Sequence, residues 1–393
     1  MALLLLALAL LAGPLIAQGN NESSLVAQGF DHFYNLEYDE AIADFDRAIA
    51  EDPSSPDLHN HVAQSIVFRE MYRDGALESE LVSGNNSFLR RPKLNPTPAT
   101  EKWFLNELAK AMSLSQARLQ KNPDDIGALY ALGISYGLRA NYYWVVKKSW
   151  RNSLRDANAA GREHNRITQH EPANVDARLV QGLHDYIVGS LPLMYRMLGF
   201  MIGIHGDKQD GIAIVEDVAH HGTLNRVDAE ILLCALYRRE NQPRKAIPLI
   251  NDLISRFPRN FLLRLELSQM YSMAGDKSHA LEAVQEVARR KEAHAPGYDR
   301  VPWAKIYFQE GTIEFWYNEL DAALVNMQKV ADRSADVDLN TGVQAFLRIG
   351  QIHDLKHQRA AALDAYHKAI AYAPQADAAQ ESRKYLSAPY HRM

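Results

Sequence analysis

Two stretches near opposite ends of the chain share one spacing of small and large residues. In GFDHFYNLEYDEAIADFDRAIAEDP, Gly29 is followed by Ala41 twelve residues on, Phe45 four later, Ala48 three later and Pro53 five later. In GQIHDLKHQRAAALDAYHKAIAYAP the same intervals carry Gly350, Ala362, Tyr366, Ala369 and Pro374. Small residues at the first two positions let two antiparallel helices approach closely. The next two lie at i+4 and i+7 from Ala41 on one face of the second helix, and the proline stops it. Such a hairpin leaves an apolar face that only another hairpin covers, so several must stack.

The metre persists between these ends. Cys234, Ala246, Ile250, Leu253 and Pro258 keep all four intervals; Ser268, Ala280, Val284 and Val287 keep three, as do Gly311, Ala323, Met327 and Val330. Three copies are stretched: Ala63 precedes Ala111, Ser115, Arg118 and Pro123; Gly133 precedes Ala160, His164, Ile167 and Pro172; Gly182 precedes Gly211, Val215 and Val218. A further interval, not used to place these copies, repeats as well. Ten residues separate Pro53 from Ala63, Pro123 from Gly133, Pro172 from Gly182 and Pro258 from Ser268.

These residues resemble the tetratricopeptide repeat (TPR) family. The pattern predicts an all-α fold of about eight helix-turn-helix repeats with a capping helix over 375–387, and the resemblance implies a right-handed superhelical solenoid. SGNNSFLRR, ALYALGISYGLRANY and VGSLPLMYRMLGFMIGIHGDK together resemble exported bacterial TPR proteins over nearly the whole chain. The SLP to GDK portion more faintly resembles the eukaryotic TPR family of inclusion-body clearance proteins, over about a third of it.

Ala63 to Ala111 spans 48 residues where twelve is standard, leaving 36; the same comparison leaves 15 in the third repeat and 17 in the fourth. Three insertions, near 69–104, 141–156 and 189–205, are therefore expected between the two helices of their own repeats, projecting from one edge. The last is the most apolar. Read as a helix, Leu191, Met194, Leu198 and Met201 make a stripe that Met197, Phe200 and Ile204 widen. It is expected to pack against NYYWVVKKSW and the SFLRR loop, and the alternative is a binding surface.

The N-terminus, MALLLLALALLAGPLIAQGNNESS, has an apolar run followed by small residues and reads as an export signal over 1–17, with 18–393 as the solenoid. It lacks a basic region, since Arg47 is the first Lys or Arg. The run is shorter than the roughly 20 residues of a spanning helix. Residence in the periplasm or cell envelope is the expectation. The single cysteine, Cys234, excludes an internal disulfide framework and CxxC motifs, and a formal charge of −5 gives no electrostatic footprint for nucleic acid.

No catalytic or metal constellation is legible. GIHGDK lacks the spacing of a phosphate loop, and neither GxSxG nor HExxH occurs. His353 and His357 stand four apart but lack a convergent carboxylate. Asp124, Asp125 and Asp228 read as helix caps. No enzyme activity and no cofactor is therefore expected. The TPR resemblance implies a protein or peptide partner on a concave surface lined by first helices, with Tyr186, Arg238, Arg239, Gln269, Gln351 and Asp354 as candidate lining. Leu198 and Phe200 join them if the apolar insertion binds a partner or, as the alternative function, contacts a membrane surface or lipid peripherally. The partner's identity and the oligomeric state are not encoded in these patterns.

Overall fold

The structure is a computed structural model describing residues 24–75, 77, 95–193, 196–197 and 205–392. The segment 1–17, most of the first insertion with the SFLRR loop, and Leu198 and Phe200 lie outside the described residues. The chain divides into two compact units, the first running to Tyr237 and the second beginning at Arg238.

Seventeen α-helices and no strand occur among the described residues. The first unit holds α1 (Ser24–Tyr34), α2 (Tyr38–Glu51), α3 (Pro56–Arg73), α4 (Pro98–Lys121), α5 (Ile126–Val145), α6 (Trp150–His170), α7 (Leu179–Gly189), α8 (Lys208–His221) and nearly all of α9 (Arg226–Arg239). The second holds α10 (Pro243–Arg256), α11 (Phe261–Met273), α12 (Lys277–Glu292), α13 (Trp303–Trp316), α14 (Leu320–Ala331), α15 (Leu339–Leu355), α16 (Arg359–Tyr372) and α17 (Asp377–Ser387). Short polar side chains start many of them: Asp125, Asp207, Asn260, Asp276 and Asp338 each accept a bond from a first-turn backbone amide. Asp125 is thus the cap the sequence suggests, whereas Asp124 pairs with His170 at 3.1 Å.

Consecutive helices pack as hairpins: α1 with α2, α3 with α4, α5 with α6 and α7 with α8 in the first unit, and α11 with α12, α13 with α14 and α15 with α16 in the second. The small-residue register is the reason they approach. A Cβ added at Gly29 would stand 2.5 Å from the Phe45 ring, one at Gly133 2.7 Å from His164, and one at Gly350 would collide with Tyr366. These are the partners the spacing assigns. In the fourth repeat the contact slips by one residue, with Gly182 against Ile214 in place of Val215. Ala41, Ala111, Ala160, Ala246, Ala280, Ala323 and Ala362 are all completely buried. In the second repeat, Arg118 stands where the others bury an apolar residue, and it leaves the core to make two bonds to Asp125.

Five repeats of standard length turn in one way. Leu36, Asn241, Gly275, Asn318 and His357 all have positive φ, between 54° and 84°. Each lies seven residues after its repeat's small residue. In four of them the next amide reaches back to a first-helix carbonyl: Glu37 to His32, Asp276 to Tyr271, Glu319 to Glu314 and Gln358 to His353. This left-handed helix ending closes the first helix and reverses the chain within three residues. It also separates His353 from His357: the helix ends at Leu355, and His353 bonds Gln358 at 2.7 Å.

The second insertion corrects the expected picture of a projecting loop. Its residues lengthen both helices, giving α5 20 residues and α6 21 where α10 has 14. Only 146–149 remain as connection. Arg139 clamps the extended hairpin with bonds of 2.6 and 3.2 Å to the buried Asp156. Tyr142 and Trp144 are buried, and Lys147 passes over the Tyr142 ring to reach Glu101. Trp150 is 54% exposed. Cys234 is buried.

His164 fills the position that holds Phe45 and Tyr366 in other repeats. Its ring is buried against Tyr130, and neither nitrogen has a hydrogen-bond partner among the described residues. Burial lowers its pKa to about 4. The folded state therefore keeps it neutral while the unfolded chain takes up a proton below pH 6.5. Stability contributed by this site is full above that pH and falls as pH drops through 4. The expected loss is about 3 kcal/mol at 1.4 kcal/mol per unit. In His164→Phe, denaturation between pH 7 and 4 should show a correspondingly flatter profile; an unchanged profile would remove His164 as its source.

Candidate functional site

In the second unit the first helices of successive repeats also pack on one another, α11 on α13 and α13 on α15, and α17 packs on α15. They form an inner layer. Its last part is lined by Phe315 and Trp316 of α13, Arg348, Gln351 and Asp354 of α15, and Glu381 and Tyr385 of α17.

Asp354 is the centre of this lining. It is buried, and its carboxylate accepts two bonds from Arg359 Nη1 at 2.9 and 3.1 Å and one from the Tyr366 hydroxyl at 2.8 Å. Arg359 also donates Nη2 to the carbonyls of Tyr385 and Leu386, tying the end of α17 to the same point. Gln351, likewise buried, accepts from Arg348 at 2.7 Å and donates to Glu381 at 3.2 Å. The Arg348 guanidinium lies 4.1 Å over the Phe315 ring and 5.2 Å from Trp316. Burial lowers its pKa. Trp316 itself is 56% exposed.

The face is covered by the chain's own residues 388–392. Asp354 Oδ2 accepts the backbone amide of Tyr390 at 2.8 Å. The Tyr390 ring stands edge-on to Tyr385 at 5.3 Å and tilted to Phe315 at 6.3 Å. Arg392 places its guanidinium 4.7 Å over Phe315, donates to the Asn318 side chain at 2.9 Å, and bonds the Phe315 carbonyl. Pro389 and His391 are exposed while Tyr390 and Arg392 are half-buried, the alternation of an extended strand.

The other candidate lining residues have different places. Arg238 pairs with Glu266 at 2.6 Å, and Gln269 accepts a long bond from Gln309 at 3.4 Å. Arg239 is exposed. Tyr186 is a correction: it is fully buried in the first unit, its backbone pressed against Gly211 where α7 meets α8. Gln351 and Asp354 are on the inner layer but buried, because α17 and the segment after it cover them.

In the first unit the corresponding inner side is filled from within. The turn before α9 and its first residues lie against α1 and α5, with the Tyr34 hydroxyl donating to Asp228 at 2.9 Å and the Tyr130 hydroxyl donating to Asn225 at 2.7 Å. Asp176 holds this turn, accepting the amides of Thr223, Leu224 and Asn225 at 3.0, 3.1 and 2.8 Å. Asp228 is therefore a buried acid and not a cap. Burial pushes its carboxyl well above the usual range, the Tyr34 bond only partly opposing this, and Oδ2 has no partner among the described residues.

The folded carboxyl of Asp228 holds its proton to higher pH than the unfolded one, which ionises above about pH 4, so its contribution to stability is lost as pH rises. Asp228→Asn should accordingly equal or exceed the wild type in stability at pH 7.5, with the gain shrinking toward pH 4. A variant less stable at pH 7.5 would mean that the carboxylate is charged there.

Seven hairpins within the two units, five first helices that end in the same left-handed turn, and an inner layer of first helices in the second unit define the repeat. The fold is an all-α helix-turn-helix repeat of tetratricopeptide-like form. No protein-family model matches the sequence, and no curated protein is similar to it. Similar solved structures include a tetratricopeptide repeat protein from Parabacteroides merdae (14% identity, 79% of this chain and 91% of that one, TM-score 0.31). Yeast Tom70 is similar at 11% identity, over 93% of this chain and 94% of its own, with TM-score 0.40. The human IFIT1 dimer with m7Gppp-AAAA is similar at 14% identity, over 98% and 87%, with TM-score 0.46.

Among the described residues no group of three His, Cys, Asp or Glu side chains is placed to hold a metal ion, and no helix is long and apolar enough to cross a membrane. Buried His59 is bonded to Glu107 at 2.6 Å, and His61 packs between Phe30 and Phe45. What the inner face of the second unit offers is different. A buried carboxylate accepts a main-chain amide, and two aromatic rings and a guanidinium flank the chain that supplies it. Sequence reasoning missed Phe315, Trp316, Arg348 and the segment at 388–392. The signal available was an FW pair at the end of a first helix beside a Tyr-x-Arg segment.

Proposed function

We propose that the protein is a non-enzymatic scaffold that binds a protein or peptide partner in extended form on the inner layer of its second unit. One observation carries this reading: Asp354 accepts the amide of an extended residue, a contact that depends on main chain and not on one side chain. Phe315, Arg348 and Tyr385 then set what flanks it. The net charge of −5 argues against an RNA cargo such as that named with IFIT1. Panning a random peptide library on the full-length protein tests the reading. Peptides are expected whose affinity drops at least tenfold in Arg348→Ala; absence of enrichment, or affinity indifferent to Arg348, would overturn it.

A second reading, peripheral contact with a membrane or lipid through 190–204, is favoured by Leu193 and Met197, 71% and 63% exposed. Liposome flotation should then fall in Leu193→Glu plus Met197→Glu, and equal flotation would dispose of it. Export to the cell envelope is proposed from residues 1–17 alone. Sequencing the N-terminus of the mature protein should show processing after Ala17, and an intact Met1 would contradict it.

A further inference from the structure

We infer that residues 388–392 are an internal ligand that closes the inner face of the second unit, and that the partner displacing them presents an extended segment with an aromatic residue followed two positions later by arginine. This rests on the scaffold reading and names the partner's chemistry and its regulation. Ser387 ends α17, and Ala388 continues with φ −137° and ψ 131°, so the chain leaves the helix fully extended. From there it makes the contacts of a bound peptide. Its amide is held by a buried carboxylate, alternate side chains turn inward, and the inward pair is Tyr390 and Arg392.

The pair matches the face chemically. The Tyr390 ring enters between Tyr385 and Phe315, and the Arg392 guanidinium lies on the Phe315 ring. Arg392 also bonds the carbonyl of Phe315 at the end of α13, the negative end of that helix's dipole. The fit is incomplete: Arg392 Nε is buried without an acceptor among the described residues. A buried donor left unpaired weakens the seat, so a partner that satisfies it gains over the internal segment. Tethering nevertheless gives the segment an effective concentration on the order of millimolar. A partner must therefore outcompete it, and its apparent affinity is reduced by the fraction of open face.

The test uses full-length protein and the labelled, amidated peptide SAPYHR, residues 387–392, added in trans. Fluorescence anisotropy is expected to show at least tenfold tighter binding to Tyr390→Ala plus Arg392→Ala than to the wild type, and loss of that binding when Arg348→Ala is added. Arg392→Ala alone gives the same comparison with less disturbance, should the double variant melt early. No binding to the released variants, or equal binding to variant and wild type, overturns the inference. The panned peptides separate the two claims. If they need Arg348 but bind wild type and released variant equally, the scaffold reading stands and the internal ligand falls; if they ignore Arg348, the scaffold reading itself falls.

Discussion

Asp354→Ala is expected to destabilise the second unit by about 3–5 kcal/mol, the range for removing one partner of a buried ion pair. Four bonds converge on this carboxylate, from Arg359, Tyr366 and the Tyr390 amide. Removal leaves the Arg359 guanidinium facing a void while still bonded to Tyr385 and Leu386, so α17 should loosen together with the segment it carries. Asp354→Asn keeps an acceptor but not the charge, and its loss should be smaller. Urea denaturation followed by circular dichroism measures both; equal effects in the two variants would contradict this ordering, because they would show that the charge, which both variants lack, holds this point alone.

Asp176→Ala is the corresponding variant in the first unit, with an expected loss of about 3 kcal/mol, since hydrogen bonds to charged groups contribute about 1.5–3 kcal/mol each and do not add fully. The side chain is buried and satisfies three consecutive amides together with the Thr223 hydroxyl. Without it, those donors are left unpaired, and the turn that sets α9 against α1 and α5 loses its anchor. Asp217→Ala is the control: it pairs with Arg178 and His221 near the surface, where such pairs contribute under about 1 kcal/mol. Equal losses in the two variants would count against the anchoring role.

These two carboxylates mark what the sequence did and did not reveal. The repeat register was legible because it is local: Gly29 and Phe45, or Gly350 and Tyr366, stand sixteen residues apart, and helix geometry alone brings them together. The left-handed turns were not, because Leu36, Asn318 and His357 share no residue type; the hairpin imposes the conformation on whatever residue lies there. The second insertion was read as a loop because spacing counts residues without distinguishing a loop from two longer helices. Asp228 looked like a cap because its partner, Tyr34, is 194 residues away. Tyr186 looked like lining because position in the first helix says nothing of what covers it. Gln351 and Asp354 looked like open lining by position in the repeat, yet what covers Asp354 is a segment at 388–392 that carries no periodic signal.

Hydrogen exchange at the Tyr390 amide tests the central claim most directly. Held by a buried carboxylate, it is expected to exchange far more slowly than the amides of Ala388 and His391, which the structure places in exposed chain. Protection should disappear in Arg392→Ala. Exchange of all three at the rate of an unstructured peptide would contradict the account, because the inner face would then hold no extended chain.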